Sequence, residues 1–509
     1  MRRIVACREM KELDRRTIEE MGVPSCVLME RAALKTVEEM EAVFGRENSE
    51  QRILCVCGSG NNGGDGVAIA RILFLHGYRA EIFLAGNREK FTEETARQFH
   101  IAQKYQVPVV MNPDWSEYTT IVDAVFGVGL TRPVEGRYAQ LIRQMNECSA
   151  WKVAVDIPSG VDGDTGMELG TAFRADLTVT FGYRKAGLCL YPGRMLAGRT
   201  VTADIGIYGD PADPGNLRHM EESDMDMLPE RRPDGNKGTF GKVLAVAGSP
   251  GMCGAAYLCG ASAFAAGAGM VRIFTAEENR IPLQTLLPEA IITCGDSDEA
   301  KEKAYQWSDV LILGPGLGTG DKARDKAEWF LRRAWEDRKP VILDADGLNL
   351  LSDHPQWRKW LGAHVTLTPH IGEMSRLTGK PADEIIKDRT GSAVSLAGET
   401  GTVCVLKDAC TVTAGPEGNA WINLSGNAGM GTAGSGDVLA GVLAGMRCMF
   451  AGAGYEEVDP AKVAALGVFI HGRAGDRAAE KKGIYGMKAG DLIPEISFVL
   501  QDGGNHEKV

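Results

Sequence analysis

The sequence lacks the cysteine spacings that mark zinc sites and disulfide frameworks. It has 12 cysteines, none of them in a Cys-x-x-Cys pair, and most lie in apolar runs, as Cys55 and Cys57 do. Reduced, buried thiols of this kind are typical of cytosolic proteins. The first nine residues also lack the long apolar core of a signal peptide. We therefore expect a cytoplasmic protein that holds neither zinc nor disulfides.

An excess of positive charge is also lacking. The formal net charge is −12 at pH 7, which argues against nucleic acid or an anionic membrane as the main partner. Residues 243–271 carry no charge and are numerous enough to cross a bilayer. However, Gly, Pro and Ser interrupt them at 248–254, which predicts a buried strand, a loop and a helix instead. We expect no nucleic-acid partner and no membrane span.

Glycine is abundant, and it lies mainly in loops between apolar strands and helices. The chain has 509 residues and 63 glycines, and it exceeds what one core usually serves. Strand, glycine loop and helix alternate in both halves, which predicts α/β domains with parallel sheets. Residues 209–241 contain four prolines, many acids and no apolar period, as a linker does. We predict a first domain over 1–215, a linker over 216–240 and a second domain over 225–509.

The first glycine-rich loop follows an apolar strand. Residues 58–63 match G-x-G-x-x-G, but the acidic residue expected about 20 positions later, at the end of the next strand, is missing. This absence weakens an NAD-dependent oxidoreductase as the function. The loop also carries Asn61, Asn62 and Asp65, whose oxygens suit a cation or a ligand hydroxyl. The alternative is a turn that uses Asn and Asp for left-handed geometry.

Further oxygen-bearing side chains accompany the next strands. Asp123 lies within one predicted strand, Asp156 ends another, and Ser159 follows it. Ligands bind at the carboxyl ends of strands in open α/β sheets, so we expect these residues and Asn62 to form one cluster. Two carboxylates in one site repel each other unless a cation intervenes. Hard oxygen ligands without His or Cys favour an alkali or alkaline-earth ion.

The second half is organised around another glycine-rich loop, residues 427–437. Apolar residues then recur with a helical period from Val438 to Met446, so the loop opens a helix. Unpaired N–H groups at a helix start suit a phosphate. A carboxylate there repels phosphate, so Asp437 fits better as the base that deprotonates a hydroxyl attacking phosphorus. The alternative is that Asp437 only caps the helix.

Every other polar motif of the second half also follows a predicted strand, which places them all at one sheet edge. His370 is either a hydrogen-bonded turn residue or a ligand contact. Lys407 is either a surface lysine or a nucleotide contact. The motifs are Gly314–Gly318, Asp344–Asn349, Thr368–Glu373 and Lys407–Asp408.

The motifs at 61–66, 123–133 and 156–160 together resemble the N-terminal epimerase domain of the bifunctional NAD(P)H-hydrate repair enzymes. The resemblance covers about residues 1–210 and implies a Rossmann-like three-layer sandwich. It implies that Asp156 is the general base acting around C6 of the hydrated nicotinamide ring. It further implies hydrate contacts at Asn61, Asn62, Gly63, Gly64, Asp65, Gly127, Val128, Gly129, Leu130, Thr131, Arg132, Pro133, Tyr138 and Asp156, and K⁺ at Asn62, Asp123 and Ser159.

Residues 225–500 are similar to the NAD(P)HX dehydratase branch of the ribokinase-like superfamily. The loop Gly434–Asp437 resembles the anion-hole motif of that superfamily. Residues 433–436 read Ala-Gly-Ser-Gly where that family more often has Gly-Gly-Thr-Gly. The resemblance implies Mg²⁺ with ADP, or with ATP, as phosphoryl donor. It implies hydrate contacts at Ala255, Gly316, His370 and Asp437, and nucleotide contacts at Lys407, Asp408, Ala409, Cys410, Thr411 and Gly436.

The resulting hypothesis is repair of hydrated NADH and NADPH. The first domain would interconvert the two C6 epimers, and the second would phosphorylate the C6 hydroxyl and eliminate phosphate. A kinase of a small hydroxylated metabolite is the main alternative, and a non-catalytic nucleotide-binding scaffold is another. We also expect a homo-oligomer, from the base rate for such enzymes.

Overall fold

The structure is a computed structural model that describes residues 1–45, 50–210, 213, 215–454 and 458–503. The chain forms two compact units. One comprises Arg3–Gly215, and the other comprises Asn216–Val509 together with Met1–Arg2. Each is an α/β unit, as the alternation of elements predicts.

The first unit is built on a parallel sheet of seven strands in the order β4-β3-β2-β5-β6-β7-β9. The chain reverses its direction of travel across the sheet between β2 and β5, and such a switch point is where open α/β sheets bind ligands. A separate parallel pair joins β1 to β8. The strands are β1 (Arg2–Val5), β2 (Arg52–Cys57), β3 (Arg79–Leu84), β4 (Val109–Val110), β5 (Thr120–Ala124), β6 (Trp151–Val155), β7 (Leu177–Phe181), β8 (Arg184–Lys185) and β9 (Arg199–Ala203).

Helices cover both faces of this sheet, which gives three layers. In β2, Ile53 and Cys55 face a core shared with α2, α3 and α4, whereas Leu54 and Val56 face a core shared with α5. Burial on both faces explains why β2 is apolar throughout. The helices are α1 (Cys7–Glu19), α2 (Ser25–Phe44), α3 (Asn61–Leu75), α4 (Glu93–Lys104), α5 (Gly136–Glu147) and α6 (Gly193–Leu196).

Two details differ from the sequence-based prediction. The helical pattern over 8–43 is divided between α1 and α2, because Gly22 adopts a φ of 75° and Pro24 precedes α2. The predicted loop over 58–66 is shorter, since α3 begins at Asn61. Position 63, in the first turn of α3, requires glycine, because a Cβ there would stand 2.1 Å from the carbonyl oxygen of Gly58.

The second unit contains a sheet with the strand order β13-β12-β11-β14-β15-β16-β17-β18-β19-β10. Pairs from β13 to β17 are parallel, β18 is antiparallel to both neighbours, and the direction of travel changes between β11 and β14. The strands are β10 (Leu217–His219), β11 (Lys242–Val246), β12 (Met270–Thr275), β13 (Ile291–Cys294), β14 (Val310–Leu313), β15 (Val341–Leu343), β16 (Val365–Leu367), β17 (Val403–Leu406), β18 (Val412–Ala414) and β19 (Ala420–Ile422).

Helices α7, α15, α16 and α17 form one large core with this sheet. On the opposite face, Phe330 of α10 packs edge-on against Phe274 of β12. The helices are α7 (Cys253–Ala265), α8 (Arg280–Leu286), α9 (Asp298–Trp307), α10 (Asp321–Asp337), α11 (Asp346–Asp353), α12 (Ile371–Thr378), α13 (Ala382–Lys387), α14 (Arg389–Thr400), α15 (Ser435–Gly452), α16 (Pro460–Lys482) and α17 (Ala489–Gly503).

The uncharged stretch 243–271 forms β11, a loop, α7 and the start of β12, as predicted. Among the described residues, no helix has both the length and the apolar character needed to cross a bilayer. The segment 216–240 differs from a plain linker, because β10 pairs with β19 and residues Glu222–Met227 form a 3₁₀ helix. Its short polar strand has no apolar period, so composition alone does not reveal it.

Candidate active sites

In the first unit, Asp156 lies directly after β6 and has an unusual backbone conformation. Its φ is 66°, a left-handed value that few non-glycine residues adopt. Its Oδ1 accepts hydrogen bonds from the Thr180 hydroxyl at 3.0 Å and the Phe181 N–H at 3.2 Å. Oδ1 also accepts one from the ammonium group of Lys185. Residues with a strained backbone and a firmly held side chain are typical of functional sites.

A pocket at this strand edge brings several predicted residues together. Asn61, Asp65, Val128 and Asp156 all line it, as does Asp14 of α1. Burial raises the pKa of Asp65 well above its ordinary value, and the charges of Asp156 and Asp14 add to this effect. Burial, with the nearby Asp156, likewise raises the pKa of Asp14. The pocket therefore holds two carboxyl groups that retain their protons more readily than an ordinary aspartate, next to the Asp156 side chain.

A second cluster lies at the ends of β5 and β6. The hydroxyl of Ser159 donates to Oδ1 of Asp123 at 2.6 Å, and its N–H donates to Oδ2 at 2.7 Å. The N–H of Phe126 donates to the Ser159 hydroxyl at 2.8 Å, while the Asn62 amide donates to the Phe126 carbonyl at 3.1 Å. Burial raises the pKa of Asp123 to about 6, although the Ser159 hydrogen bonds oppose this. Asn62 and Ser159 thus both contact the Phe126 backbone, and Ser159 also contacts Asp123.

The loop after β5 runs between these two clusters. Val128 lines the pocket, and a Cβ at Gly127 would lie 3.2 Å from Cγ of Asn62. Tyr138 of α5 packs edge-on against Phe126, with ring centroids 5.0 Å apart. Gly63 and Gly64 are buried in α3, Leu130 is half-buried, and Gly129, Thr131, Arg132 and Pro133 are exposed.

In the second unit, Asp437 lies in the first turn of α15. Gly434 precedes that helix with a φ of 92°, and a Cβ there would collide with Leu258 of α7 at 2.4 Å. Burial raises the pKa of Asp437 to about 6, with a further contribution from Asp344 and an opposing one from Lys407. A carboxylate with this pKa is suited to accept a proton near neutral pH.

Lys407 connects several of the strand-end motifs. Its ammonium group donates to Oδ1 of Asp344 at 2.6 Å and lies 3.8 Å from Oε2 of Glu373. A Cβ at Gly436 would lie 3.4 Å from the same nitrogen. Burial alone would lower the pKa of Lys407, but the charges of Asp344 and Glu373 raise it. Asp344 is almost fully buried and also accepts the Thr368 hydroxyl at 2.7 Å.

His370 immediately precedes α12 and caps it through its ring. Its Nδ1 accepts the N–H of Gly372 at 2.9 Å, and Oε2 of Glu373 accepts the N–H of His370 at 2.8 Å. The accepting Nδ1 leaves Nε2 as the ring atom available to a ligand. Burial and the charge of Lys407 lower the pKa of His370, which favours the neutral ring.

The other predicted residues fall into two groups. A Cβ at Gly316 would lie 3.0 Å from Cβ of Ala255, so the loop after β14 touches the start of α7. Residues 407–411 form the turn between β17 and β18. In that turn, Asp408 is paired with Arg389, and the Cys410 side chain is buried. The side chains of Asp408 and Cys410 are therefore engaged by the protein, while Ala409 is exposed.

Sequence reasoning missed several side chains at these sites. Asp14 and Lys185 line the first pocket, Thr180 is hydrogen-bonded to Asp156 and Lys185 beside it, and no motif marks any of the three. His471 of α16 lies buried with Nε2 3.1 Å from the Ser435 carbonyl, where it holds the start of α15. Of these residues, only Asp14 could have been found from the sequence, because the helical period of α1 predicts which of its residues face the sheet.

These features define a two-unit α/β protein with a ribokinase-like second unit. A crystal structure of a ribokinase-like superfamily protein from Enterococcus faecalis matches with a TM-score of 0.51 and 23% identity, covering 57% of this chain and 97% of that one. At this identity the likeness shows the fold alone. Residues 243–497 match the family described as NAD(P)H-hydrate dehydratase, and residues 25–187 match the one described as YjeF-related protein N-terminus.

Relatives with the same two-part organisation match nearly the whole chain. The bifunctional NAD(P)H-hydrate repair enzyme Nnr of Thermofilum pendens is 38% identical, covering 97% of this chain and 95% of its own. The enzyme of the same name from Moorella thermoacetica is also 38% identical, with coverages of 98% and 97%. The chain therefore belongs to the family of bifunctional NAD(P)H-hydrate repair enzymes. This membership confirms the family resemblance of both halves.

Proposed function

We propose that the chain repairs hydrated NADH and NADPH through two activities, epimerisation at C6 by residues 1–215 and nucleotide-dependent dehydration of the S epimer by residues 225–509. The observation that carries this proposal is the placement of Asp437. It lies in the first turn of a helix that a glycine loop opens, and Lys407 lies against that same turn. A base and a cation thus flank a phosphate-binding helix start.

The second site supports dehydration by activation of a poor leaving group. The hydrate carries a hydroxyl on C6, next to the ring nitrogen. Asp437 removes the hydroxyl proton while the C6 hydroxyl oxygen attacks the terminal phosphorus of the nucleotide. The phosphorus–oxygen bond to the leaving nucleotide breaks in the same step. The ring nitrogen's lone pair then expels C6-bound phosphate, and loss of a ring proton restores the dihydronicotinamide. The N–H groups at the start of α15 stabilise charge on the transferred phosphoryl group.

The residues at this site fit ADP or ATP with Mg²⁺. Among the described residues, no group of three or more His, Cys, Asp or Glu side chains is arranged to hold a metal ion. Mg²⁺ in phosphoryl-transfer sites is commonly held by nucleotide phosphates and only one or two carboxylates. Asp344 and Glu373 are the carboxylates next to Lys407 that would take this part. The ion would supply charge neutralisation to the phosphates.

The first site supports acid–base chemistry at C6. Asp156 offers a carboxylate in the pocket, and Asp65 beside it retains its proton more readily than an ordinary aspartate. Interconverting epimers at a carbinolamine carbon needs a bond at that carbon to break: a base takes the hydroxyl proton as the C6–N1 bond opens to an aldehyde and an acid protonates N1, and the reverse steps on the other face of the aldehyde close the epimeric ring. We assign the base to Asp156. Substrate contacts at Asn61–Asp65, Gly127–Pro133 and Tyr138 are part of the same proposal.

The donor set around Asp123 fits K⁺. Asp123 is fully buried, and within the described part of the chain no Lys or Arg side chain contacts it. A buried carboxylate without a cationic partner is costly, and a bound monovalent cation would supply the missing charge. Asn62, Asp123 and Ser159 are the residues that would hold it. They are oxygen donors, as K⁺ requires.

A kinase of a small hydroxylated metabolite is the competing function, and the fate of oxygen distinguishes it. We would incubate S-NADHX carrying ¹⁸O in its C6 hydroxyl with the Asp156→Asn variant, Mg²⁺ and ADP or ATP. The proposal predicts NADH and inorganic phosphate that contains the ¹⁸O. Unlabelled phosphate, or a stable phosphorylated product, would contradict it.

Three properties stay predictions on other grounds. The free, mostly buried cysteines favour a reducing compartment such as the cytoplasm. A homo-oligomer is expected from base rates alone. Use of ADP in preference to ATP rests on the family resemblance.

A further inference from the structure

Lys185, at the end of β8, is one of the largest fully buried side chains of the first unit. Its ammonium group donates to the Thr180 hydroxyl at 3.0 Å and to the Phe181 carbonyl at 2.9 Å. The third donor group is directed to Oδ1 of Asp156. A buried ammonium is tolerated only when its donors are satisfied and its charge is matched, so these contacts fix Lys185 in place.

The same contacts hold Asp156 by one oxygen only. Oδ1 accepts from Thr180, from the Phe181 N–H at 3.2 Å and from Lys185. Within the described part of the chain, Oδ2 has no hydrogen-bond partner. A carboxylate anchored this way presents its second oxygen as the acceptor for a substrate proton.

Charges around the pocket make Lys185 electrostatically important. The titratable or charged groups that face Asp156 are Cys7, Lys11 and Asp14 of α1, Asp65 of α3, Glu94 of α4 and Lys185. Lys11 is exposed to solvent, whereas Lys185 is buried. Lys185 is the buried cation of this set, and its charge stands directly beside the Asp156 carboxylate.

We propose that Lys185 is a positioning residue for the epimerisation: it fixes Oδ1 of Asp156 and places a positive charge beside that carboxylate, so that Oδ2 accepts the substrate proton. This inference rests on the proposed epimerase function. Lys185 acts through Asp156 and does not itself contact the reacting carbon. Thr180 shares the anchoring task but carries no charge, so the two residues are separable by experiment.

The test follows interconversion of purified R-NADHX into the S epimer, without any nucleotide, from pH 5 to pH 9. Lys185→Met removes the charge, and Thr180→Val removes one anchor while the charge stays. We expect Lys185→Met to lower kcat about 100-fold and to move the acidic limb of the pH–rate profile up by about one unit or more. Thr180→Val removes one neutral hydrogen bond to the carboxylate, so it should lower kcat about 10-fold and move the limb less than Lys185→Met does. Lys152→Met, at the opposite end of β6, is the matched control and should leave the profile unchanged.

An unmoved acidic limb in Lys185→Met would overturn the proposal, as would a kcat equal to wild type. Failure of the wild-type protein to interconvert the epimers would instead overturn the epimerase function itself. Folding of the first unit in each variant is checked by thermal unfolding compared with the wild-type protein, and nucleotide-dependent dehydration of S-NADHX checks the other unit. If Lys185→Met does not fold, Lys185→Gln replaces it, because its amide keeps donors for Thr180 and Phe181 while the charge is removed. The same shift of the limb is expected.

Discussion

The ammonium nitrogen of Lys407 lies 2.6 Å from Oδ1 of Asp344, and this buried pair stands next to the turn that carries Asp437. Burial is the largest cause that raises the pKa of Asp437. The charge of Asp344 raises this pKa further, and the charge of Lys407 lowers it. The charges of this pair therefore link the end of β15 electrostatically to the start of α15. Together with burial, the pair adjusts the pKa of the base that we assign to dehydration.

The pH dependence of dehydration follows from this arrangement. With the pKa of Asp437 at about 6, the base is protonated and inactive below that pH, so kcat should fall as pH decreases through about 6. Lys407→Met removes the opposing charge and should move the acidic limb to higher pH by about one unit. Initial rates at saturating nucleotide from pH 5 to 9 would measure it. Lys387→Met, an exposed lysine on α13, serves as control. A limb that stays in place in Lys407→Met would contradict this electrostatic link.

The two proposed bases should be separable by mutation. Asp437→Asn keeps the shape of the side chain but cannot accept the hydroxyl proton, so dehydration should fall by about 10³-fold or more while epimerisation persists. Asp156→Asn should have the reverse effect. Dehydration is followed by dihydronicotinamide absorbance, and epimerisation is followed by separating the R and S forms. Near wild-type activity of either variant in its own reaction would show that the role is misassigned.

Potassium should stabilise the first unit in a pH-dependent way. The pKa of Asp123 is raised to about 6 in the folded protein. The folded state therefore loses stability as pH rises through about 6 and this carboxyl group ionises. A bound cation offsets that cost only when the carboxylate is ionised. We expect K⁺, compared with tetramethylammonium, to raise Tm more at pH 8 than at pH 5.

Asp123→Asn should remove this K⁺-dependent difference in Tm, and epimerase activity should lose its response to K⁺. Asp114→Asn, which alters an exposed carboxylate of the same unit, is the control. Equal K⁺ effects at pH 5 and pH 8, or an undiminished effect in Asp123→Asn, would contradict K⁺ binding at this cluster.

Two roles of His370 can be measured separately. Its Nδ1 caps α12, so His370→Ala should lower the free energy of unfolding by about 1 kcal/mol. His370→Asn retains a capping oxygen but lacks the ring nitrogen offered to the hydrate. We therefore expect His370→Asn to keep its stability and to show a lower kcat/KM for S-NADHX. Urea denaturation and dehydration kinetics provide the two measurements, and an unchanged kcat/KM in His370→Asn would restrict this residue to capping.

The sequence predicted the fold class and the strand-end positions well, for physical reasons. Buried parallel strands such as β2 are apolar on both faces, and glycine is required where backbones approach closely, as at Gly63. Both features are visible in the residue order. Lys185 was not predictable, because its contact to Asp156 joins residues that are distant along the chain and belong to no local motif. The strand β10 escaped notice because three residues are too few to show a period.

The helix boundary at Asn61 shows a similar limit. Asn, Gly and Asp are typical of turns, but here the close packing of Gly63 against Gly58 and of Gly66 against Ala124 favours glycine within the first turns of α3. Local propensity was overridden by packing against the sheet. The sequence thus showed which residue types follow β2, but it did not show that they begin a helix instead of extending a loop.

The central claim is tested most directly by the restoration of dihydronicotinamide absorbance from a mixture of the R and S epimers of NADHX. The protein would be supplied with Mg²⁺, K⁺ and either ADP or ATP in separate reactions. Two cooperating sites predict complete recovery with at least one nucleotide, and recovery near one half for Asp156→Asn. Recovery stopping near one half with the wild-type protein would contradict the epimerase, and no recovery with either nucleotide would contradict the repair function.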